Sequence, residues 1–129
     1  MLRPTGRERG SAAVEFALVL PILLIVALGL VQVGLILRDQ LVLVEAARAG
    51  AREASVTDAD AEVRDAVDRA ASTIDPNDLA LEIAREGSQG APVTVKLTYE
   101  EPPHIPFVGW LFPATVHLEA GATMRQEFG

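Results

Sequence analysis

One long uninterrupted apolar run dominates the hydropathy pattern of the chain. Residues 16–37 read FALVLPILLIVALGLVQVGLIL, 22 residues without a charge and with Gln32 as the only strongly polar side chain. As an α-helix this apolar run is about 33 Å long, and the hydrocarbon core of a bilayer is about 30 Å thick. The pattern therefore predicts a helix that crosses a membrane once.

Two other interpretations of the apolar run fit less well. A buried helix of a soluble protein needs a core on all sides, which the other 107 residues can hardly supply. A secretory signal peptide has an apolar core of only about 7 to 15 residues, followed closely by a small-x-small cleavage site. Here the nearest good match, Ala47-Arg48-Ala49, lies well beyond the run.

The helical pattern continues after the apolar run with spacings of three and four residues. The predicted apolar stripe consists of Leu37, Leu41, Val44, Ala47, Ala51 and Ala54. Small residues four apart let two helices approach closely. We therefore predict a helix-packing surface, the small-residue surface, formed by Ala46, Ala47, Gly50 and Ala51. Its partner is either the rest of this chain or a neighbouring molecule.

A second helix and a sheet are predicted in the remainder. Thr57 is the predicted N-cap of the second helix, with Asp60 three residues later. Its apolar face is formed by Ala59, Val63, Ala66, Ala70 and Ile74, and Asp75-Pro76 ends it. Apolar residues then alternate with polar ones at 79–83, 93–99 and 116–124, with a turn at 88–92. This period of two predicts three antiparallel strands that rest on a helix.

The segment between the last two predicted strands is rich in proline and aromatic residues. Residues 101–113 read EPPHIPFVGWLFP, and the four prolines prevent regular structure. The large apolar side chains of this loop include Ile105, Phe107, Trp110 and Phe112. The loop is predicted either to cover the core of the sheet or to contact a partner or the membrane surface.

Charge and composition exclude several classes of function. The net charge of −7 disfavours a nucleic-acid binder, and the absence of cysteine excludes disulfides and thiol nucleophiles. His104 and His117 lack a third metal ligand at a plausible spacing, and there is no phosphate-binding glycine loop or nucleophile elbow. We therefore expect no enzymatic activity, no cofactor and no metal.

The charges on the two sides of the apolar run indicate its orientation. Arg3, Arg7 and Arg9 precede it, although three arginines also follow it within about 20 residues. Residues 38–129 carry 8 basic and 16 acidic side chains, whereas the N-terminal tail is basic on balance. We therefore predict a cytoplasmic N-terminus and an exported acidic C-terminal part.

An acidic residue stands directly before the apolar run. A carboxylate in hydrocarbon costs several kcal/mol unless it is paired or near the interface, so Glu15 is a candidate functional residue. The simpler alternative is that Glu15 lies at headgroup depth, where the helix dipole favours it. Gly10 and Ser11 precede it, and Phe16 follows it.

The segment RERGSAAVEFALVLPILL resembles the processing site of type IV prepilins. In that family a membrane peptidase cuts after a glycine and leaves a glutamate as the fifth mature residue. The resemblance implies cleavage between Gly10 and Ser11. It also implies that the new α-amino group of Ser11 pairs with Glu15 of a neighbouring subunit in the membrane.

The order of these features along the chain is similar to that in TadE-like proteins of the tight-adherence (Flp) pilus systems. The similarity includes AARAGAR after the run and ATVHLEAGATMRQEF near the end, and TadF-type proteins share the N-terminal features. It implies a minor pseudopilin that is anchored once in the bacterial cytoplasmic membrane and exports its C-terminal part. The implied partners are prepilin peptidase, pilins and other pilus-assembly proteins, with oligomerisation through the N-terminal helix.

These observations predict a three-part chain of the α+β class with a pilin-like architecture. A leader (residues 1–10) precedes a transmembrane helix (11–37) and an exported headpiece (38–129), which is helical at 38–74 and β-rich at 79–127. The alternative function is an unprocessed single-pass anchor. In that case the acidic exported domain binds a ligand or regulates another membrane protein.

Overall fold

The computed structural model describes residues 7–102, 109–111 and 114–128. In chain order the elements are α1 (Arg7–Val56), α2 (Asp60–Ala70), β1 (Leu79–Arg85), β2 (Pro92–Glu101) and β3 (Val116–Arg125). A long N-terminal helix, a second helix and a three-stranded antiparallel sheet confirm the predicted α+β class.

Helix α1 is a single continuous element of 50 residues, about 75 Å long at 1.5 Å per residue. It contains Pro21, which has no N–H to donate to the carbonyl one turn earlier, yet the helix continues through it. Along residues 16–31 the large apolar side chains are exposed on every side of the helix. Among the described residues, α2 and the sheet pack on the C-terminal part of α1.

The buried face of α1 differs from the predicted stripe in its first half. Leu37 and Leu41 were predicted to lie on this face, but both are exposed on the opposite side of the helix. The observed stripe also has spacings of three and four, but it includes the polar residues that a search for apolar positions passes over. This buried stripe consists of Gln32, Ile36, Asp39, Leu43, Ala47, Gly50 and Ala54.

The prediction that Thr57 caps the N-terminus of α2 is wrong. The N-cap position is Ala59, whose side chain offers no hydrogen bond. The hydroxyl oxygen of Thr57 instead accepts the N–H of Ala59 at 3.2 Å, within the link between the helices. The Thr57 hydroxyl is thus used before the helix begins. The acidic side chains of Asp60 and Glu62 stabilise the first turn of α2 instead, because they lie near the positive end of the helix dipole.

The end of α2 lies four residues earlier than predicted. Ala71 leaves the helical conformation, and Ile74 lies in a turn, although its side chain is buried in the core. Arg64 holds the segment after this turn against the helix, because its guanidinium donates to the carbonyls of Pro76 at 2.6 Å and Leu79 at 3.2 Å. Ile74 therefore contributes to the core without belonging to the helix.

The sheet confirms the predicted alternation of apolar and polar residues. Its order is β1-β2-β3, all antiparallel, and Leu97 of β2 stands opposite Leu81 and Ala120. One face of β2 is buried in the core with both helices. Its residues are Val93, Val95, Leu97 and Tyr99. The predicted turn joins β1 to β2, and Gly90 adopts a positive φ of 85° there.

Candidate functional site

The N-terminal motif lies in the first turns of α1 and faces the surroundings. Gly10, Ser11 and Glu15 are all exposed, and a Cβ on Gly10 would meet no atom within 4 Å. Ser11 and Glu15 are four residues apart on the same side of the helix. Within the described part of the chain, Glu15 has no hydrogen bond or ion pair, so its carboxylate is available to another molecule.

The apolar surface of α1 continues directly from this motif. By length and composition, the segment Gly10–Val56 contains a helix that can cross a membrane. Its side chains at residues 16–31 are not covered by the headpiece. Contiguous apolar surface of this extent is not stable in water and marks contact with lipid or another apolar surface.

The small-residue surface contacts the same chain in this structure. Ala46, Ala47 and Ala51 have no exposed surface. A Cβ placed on Gly50 would lie 2.6 Å from Cγ2 of Val67 in α2 and 3.2 Å from Cγ1 of Val95 in β2. These residues therefore let α1 approach α2 and the sheet, and this face is closed to a neighbouring molecule.

Sequence reasoning missed a buried polar cluster where α1 meets the ends of the strands. Asp39 of α1, Tyr99 and Glu101 are all buried there. Burial raises the pKa of the Tyr99 hydroxyl, and the nearby carboxylates of Asp39 and Glu101 raise this pKa further because they repel the phenolate. The sequence signal was Asp39 itself, a charged residue at the helical spacing of the buried stripe.

Gln32 extends this polar side of α1 into the apolar run. Only 3% of its surface is exposed, and its Oε1 has no hydrogen-bond partner among the residues that the structure describes. A helix alone does not bury its own side chain to this degree, so the packed face of α1 reaches at least to Gln32.

The loop between β2 and β3 is described only in part. Trp110 and Leu111 are 73% and 53% exposed, so these two residues do not cover the core. The predicted loop residues Ile105, Phe107 and Phe112 lie outside the described residues, as does His104.

The other histidine is on the outer face of the sheet. His117 Nδ1 lies 3.5 Å from Glu100 Oε1, and both side chains are largely exposed. Across residues 7–102, 109–111 and 114–128, no three His, Asp or Glu side chains are grouped as metal ligands.

In the part of the chain that the structure describes, a long exposed apolar helix carries an α+β unit, as in proteins that are anchored to a membrane by a helix. Residues 10–52 match the TadE family model, described as TadE-like protein. This segment of the chain is thus TadE-like, which confirms the resemblance inferred from its residues. Searches of curated proteins and of solved structures gave no match.

The boundaries of the family match correspond to features of the structure. The match begins at Gly10 and ends two residues after Gly50, so it includes the exposed apolar helix and the small-residue surface. It excludes α2 and the sheet. The TadE-like segment is therefore the part of α1 that both faces the surroundings and supports the headpiece.

Proposed function

We propose that this protein is a membrane-anchored minor pseudopilin that takes part in the assembly of tight-adherence pili. The observation that carries the proposal is the TadE-like match, which begins at Gly10 and covers an exposed apolar helix. In this proposal α1 crosses the bacterial cytoplasmic membrane once, with a cytoplasmic N-terminus and an exported headpiece. The protein is a structural partner of pilins and assembly proteins and has no catalytic activity of its own.

In the proposed maturation, prepilin peptidase hydrolyses the peptide bond between Gly10 and Ser11. This reaction removes a leader with three arginines and creates an ammonium group on Ser11. Gly10 suits the cut because it has no side chain, and glycine costs a helix about 1 kcal/mol relative to alanine, which eases local unwinding. The exposed carboxylate of Glu15 supports the next step, in which it pairs with the ammonium group of a neighbouring subunit.

Such a pair would matter most inside the bilayer. Each charge alone pays a large desolvation penalty in hydrocarbon, and pairing offsets part of it. The pair therefore favours a defined axial position of one helix beside another. This would turn a general apolar surface into a specific assembly contact.

The processing step is tested by the mass of the mature N-terminus. On co-expression with a prepilin peptidase, we expect a chain that begins at Ser11. The Gly10→Leu variant should keep its leader, whereas the matched control Gly6→Leu should be cleaved like the wild type. An intact leader on the wild-type chain, beside a cleaved known substrate, would contradict the proposal and favour the unprocessed anchor.

The assembly step is tested separately at Glu15. Glu15→Ala should be cleaved normally but should reduce pilus formation in a complemented deletion strain. Glu8→Ala is a matched control, because the proposed cut removes residue 8 and leaves a mature chain identical to the wild type. Normal piliation by a stably expressed Glu15→Ala chain would show that the carboxylate plays no part in assembly.

A further inference from the structure

We propose that Trp110 and Leu111, the loop tip, lie in the interfacial region of the exported leaflet of the membrane that α1 crosses. The headpiece would then have a second attachment to the bilayer beside its helix. This inference rests on the membrane anchoring proposed above. It concerns two described residues whose large apolar side chains the rest of the chain leaves exposed.

The first step is the direction of β3 relative to α1. Gln40 Nε2 donates to the carbonyl of Glu119 at 2.9 Å, and the N–H of Glu127 donates to the carbonyl of Ser55 at 2.8 Å. Between these contacts α1 rises about 22 Å and the extended chain rises about 26 Å, by the usual rises per residue. The two lengths nearly agree, so β3 and the residues just after it run beside α1 in the same direction.

The second step extends this alignment towards the membrane. Val116, the first residue of β3, lies three residues before Glu119, or about 10 Å. Along α1 that distance corresponds to about six or seven residues before Gln40, within the last turns of the apolar run. The packing agrees, because Ile36 contacts the headpiece core and Gln32 is buried. This end of the sheet is therefore level with the outer edge of the hydrocarbon.

The third step places the loop tip. The chain leaves β2 at Glu101 and enters β3 at Val116, both at this end of the sheet, and Leu111 is only five residues before Val116. The two exposed residues thus belong to a connection that begins and ends at the part of the headpiece nearest the bilayer. Tryptophan is favoured at membrane interfaces because its ring is apolar and its N–H can still meet water or headgroups.

Charge near the same level also fits lipid. Arg38 directly follows the apolar run and is exposed, so its guanidinium can reach lipid phosphates while its stem stays on apolar surface. By this alignment, the loop tip lies at the same depth along the membrane normal as the end of the exposed apolar surface of α1. A bilayer that covers that helix therefore already reaches the loop tip, whereas a protein partner would need a separate surface there.

The test uses Trp110 as a built-in probe, because it is the only tryptophan in the chain. The full chain is reconstituted in phosphatidylcholine vesicles with bromine placed either near the carbonyl end or near the methyl end of the acyl chains. We expect blue-shifted emission relative to the unfolded chain and weak quenching by aqueous acrylamide. Shallow bromines should quench Trp110 more strongly than deep ones.

Two tryptophan positions in a Trp110→Phe background serve as controls. Ser88→Trp lies at the opposite end of the sheet, about 30 Å away along β2, and should behave as in water. Leu24→Trp lies within the apolar run and should be quenched more strongly by deep bromines. The Leu24→Trp chain reports the anchoring by α1 independently of the loop.

The outcomes separate the inference from the proposed anchoring. Water-like behaviour of Trp110, with Leu24→Trp quenched by lipid, would overturn the inference and leave the anchoring intact. Protection of Trp110 from both acrylamide and bromolipid would also overturn it, in favour of a protein contact such as a second copy. If Leu24→Trp is not quenched either, both the anchoring and the inference are wrong.

Discussion

The two parts of α1 share one continuous backbone but have opposite surroundings. At residues 16–31 large apolar side chains are exposed all around the helix, whereas at residues 43–54 alanine and glycine are buried on one face. The sheet and α2 supply most of the large side chains of the core, such as Leu97 and Val67, and α1 adds Leu43. The large side chains at residues 16–31 of α1 thus face the surroundings, whereas the small residues of its C-terminal part let the rest of the chain approach closely.

This comparison teaches that hydrophobicity alone does not identify the packed face of a helix. Two neighbouring leucines illustrate the point, because Leu43 has no exposed surface and Leu41 is 69% exposed. Two glycines do the same, because a Cβ on Gly50 meets Val67 at 2.6 Å and one on Gly34 meets nothing within 4 Å. These matched pairs test the comparison directly.

The largest effect is expected from bulk at the small-residue surface. Gly50→Leu should prevent the headpiece from folding, because the side chain must displace Val67 and Val95, and overpacking costs about 1–3 kcal/mol or more even for smaller insertions. Pulse proteolysis of the detergent-solubilised full chain would measure the folded fraction. Gly34→Leu is the control and should fold normally; equal behaviour of the two variants would contradict the described packing.

The next effect is expected from the two leucines. Leu43→Ala should lower the free energy of unfolding of the headpiece by about 2–5 kcal/mol, because it leaves a cavity in the core. Leu41→Ala should change it by no more than about 0.5 kcal/mol, as at other exposed positions. Urea titration with the same proteolysis readout compares them. A larger loss for Leu41→Ala would mean that the predicted stripe, rather than the observed one, is buried.

A smaller effect is expected from one methyl group at the closest helix contact. Gly50→Ala gains about 1 kcal/mol of helix propensity but overpacks the stiff Val67 side chain at a cost of about 1–3 kcal/mol, so a modest net loss should result. Adding Val67→Ala should make room for the methyl group. A double-mutant cycle should then give a favourable coupling of about 0.5–3 kcal/mol. Simple additivity would argue against direct contact of these residues.

The smallest effect is a pH dependence of the headpiece stability that is caused by Tyr99. The pKa of Tyr99 is raised above its ordinary value of 10.0 by burial and then by Asp39 and Glu101, so the folded state holds the proton more tightly than the unfolded state. This contribution to stability is complete below pH 10 and is lost as the pH rises through the raised pKa. Ultraviolet titration of the phenolate reports it, because Tyr99 is the only tyrosine.

Asp39→Asn tests the cause of this shift. Removing the carboxylate should lower the pKa of Tyr99 only in part, because burial is the larger cause. A pKa in Asp39→Asn equal to that of the guanidinium-unfolded chain would show that burial contributes nothing.

Local patterns were sufficient for the elements whose signal repeats along the chain. The alternation at Val93, Val95 and Leu97 predicted both strand and buried face, because successive side chains of a strand point to opposite sides. The apolar run predicted the exposed helix, because its length and lack of charge depend on no other part of the chain. The N-terminal motif likewise predicted the TadE-like similarity that the family match shows at residues 10–52.

The sequence by itself determined the α+β class, the three strands and the TadE-like segment, since each depends on short-range spacing. Tertiary structure decided that Gln32 and Asp39 lie on the buried stripe, that Leu37 and Leu41 do not, and that Ile74 enters the core from a turn. It also decided that Gly50 packs against Val67 and Val95 of the same chain rather than against a neighbouring molecule. A helix offers several stripes with spacings of three and four, and only the element that docks on it selects which one is buried.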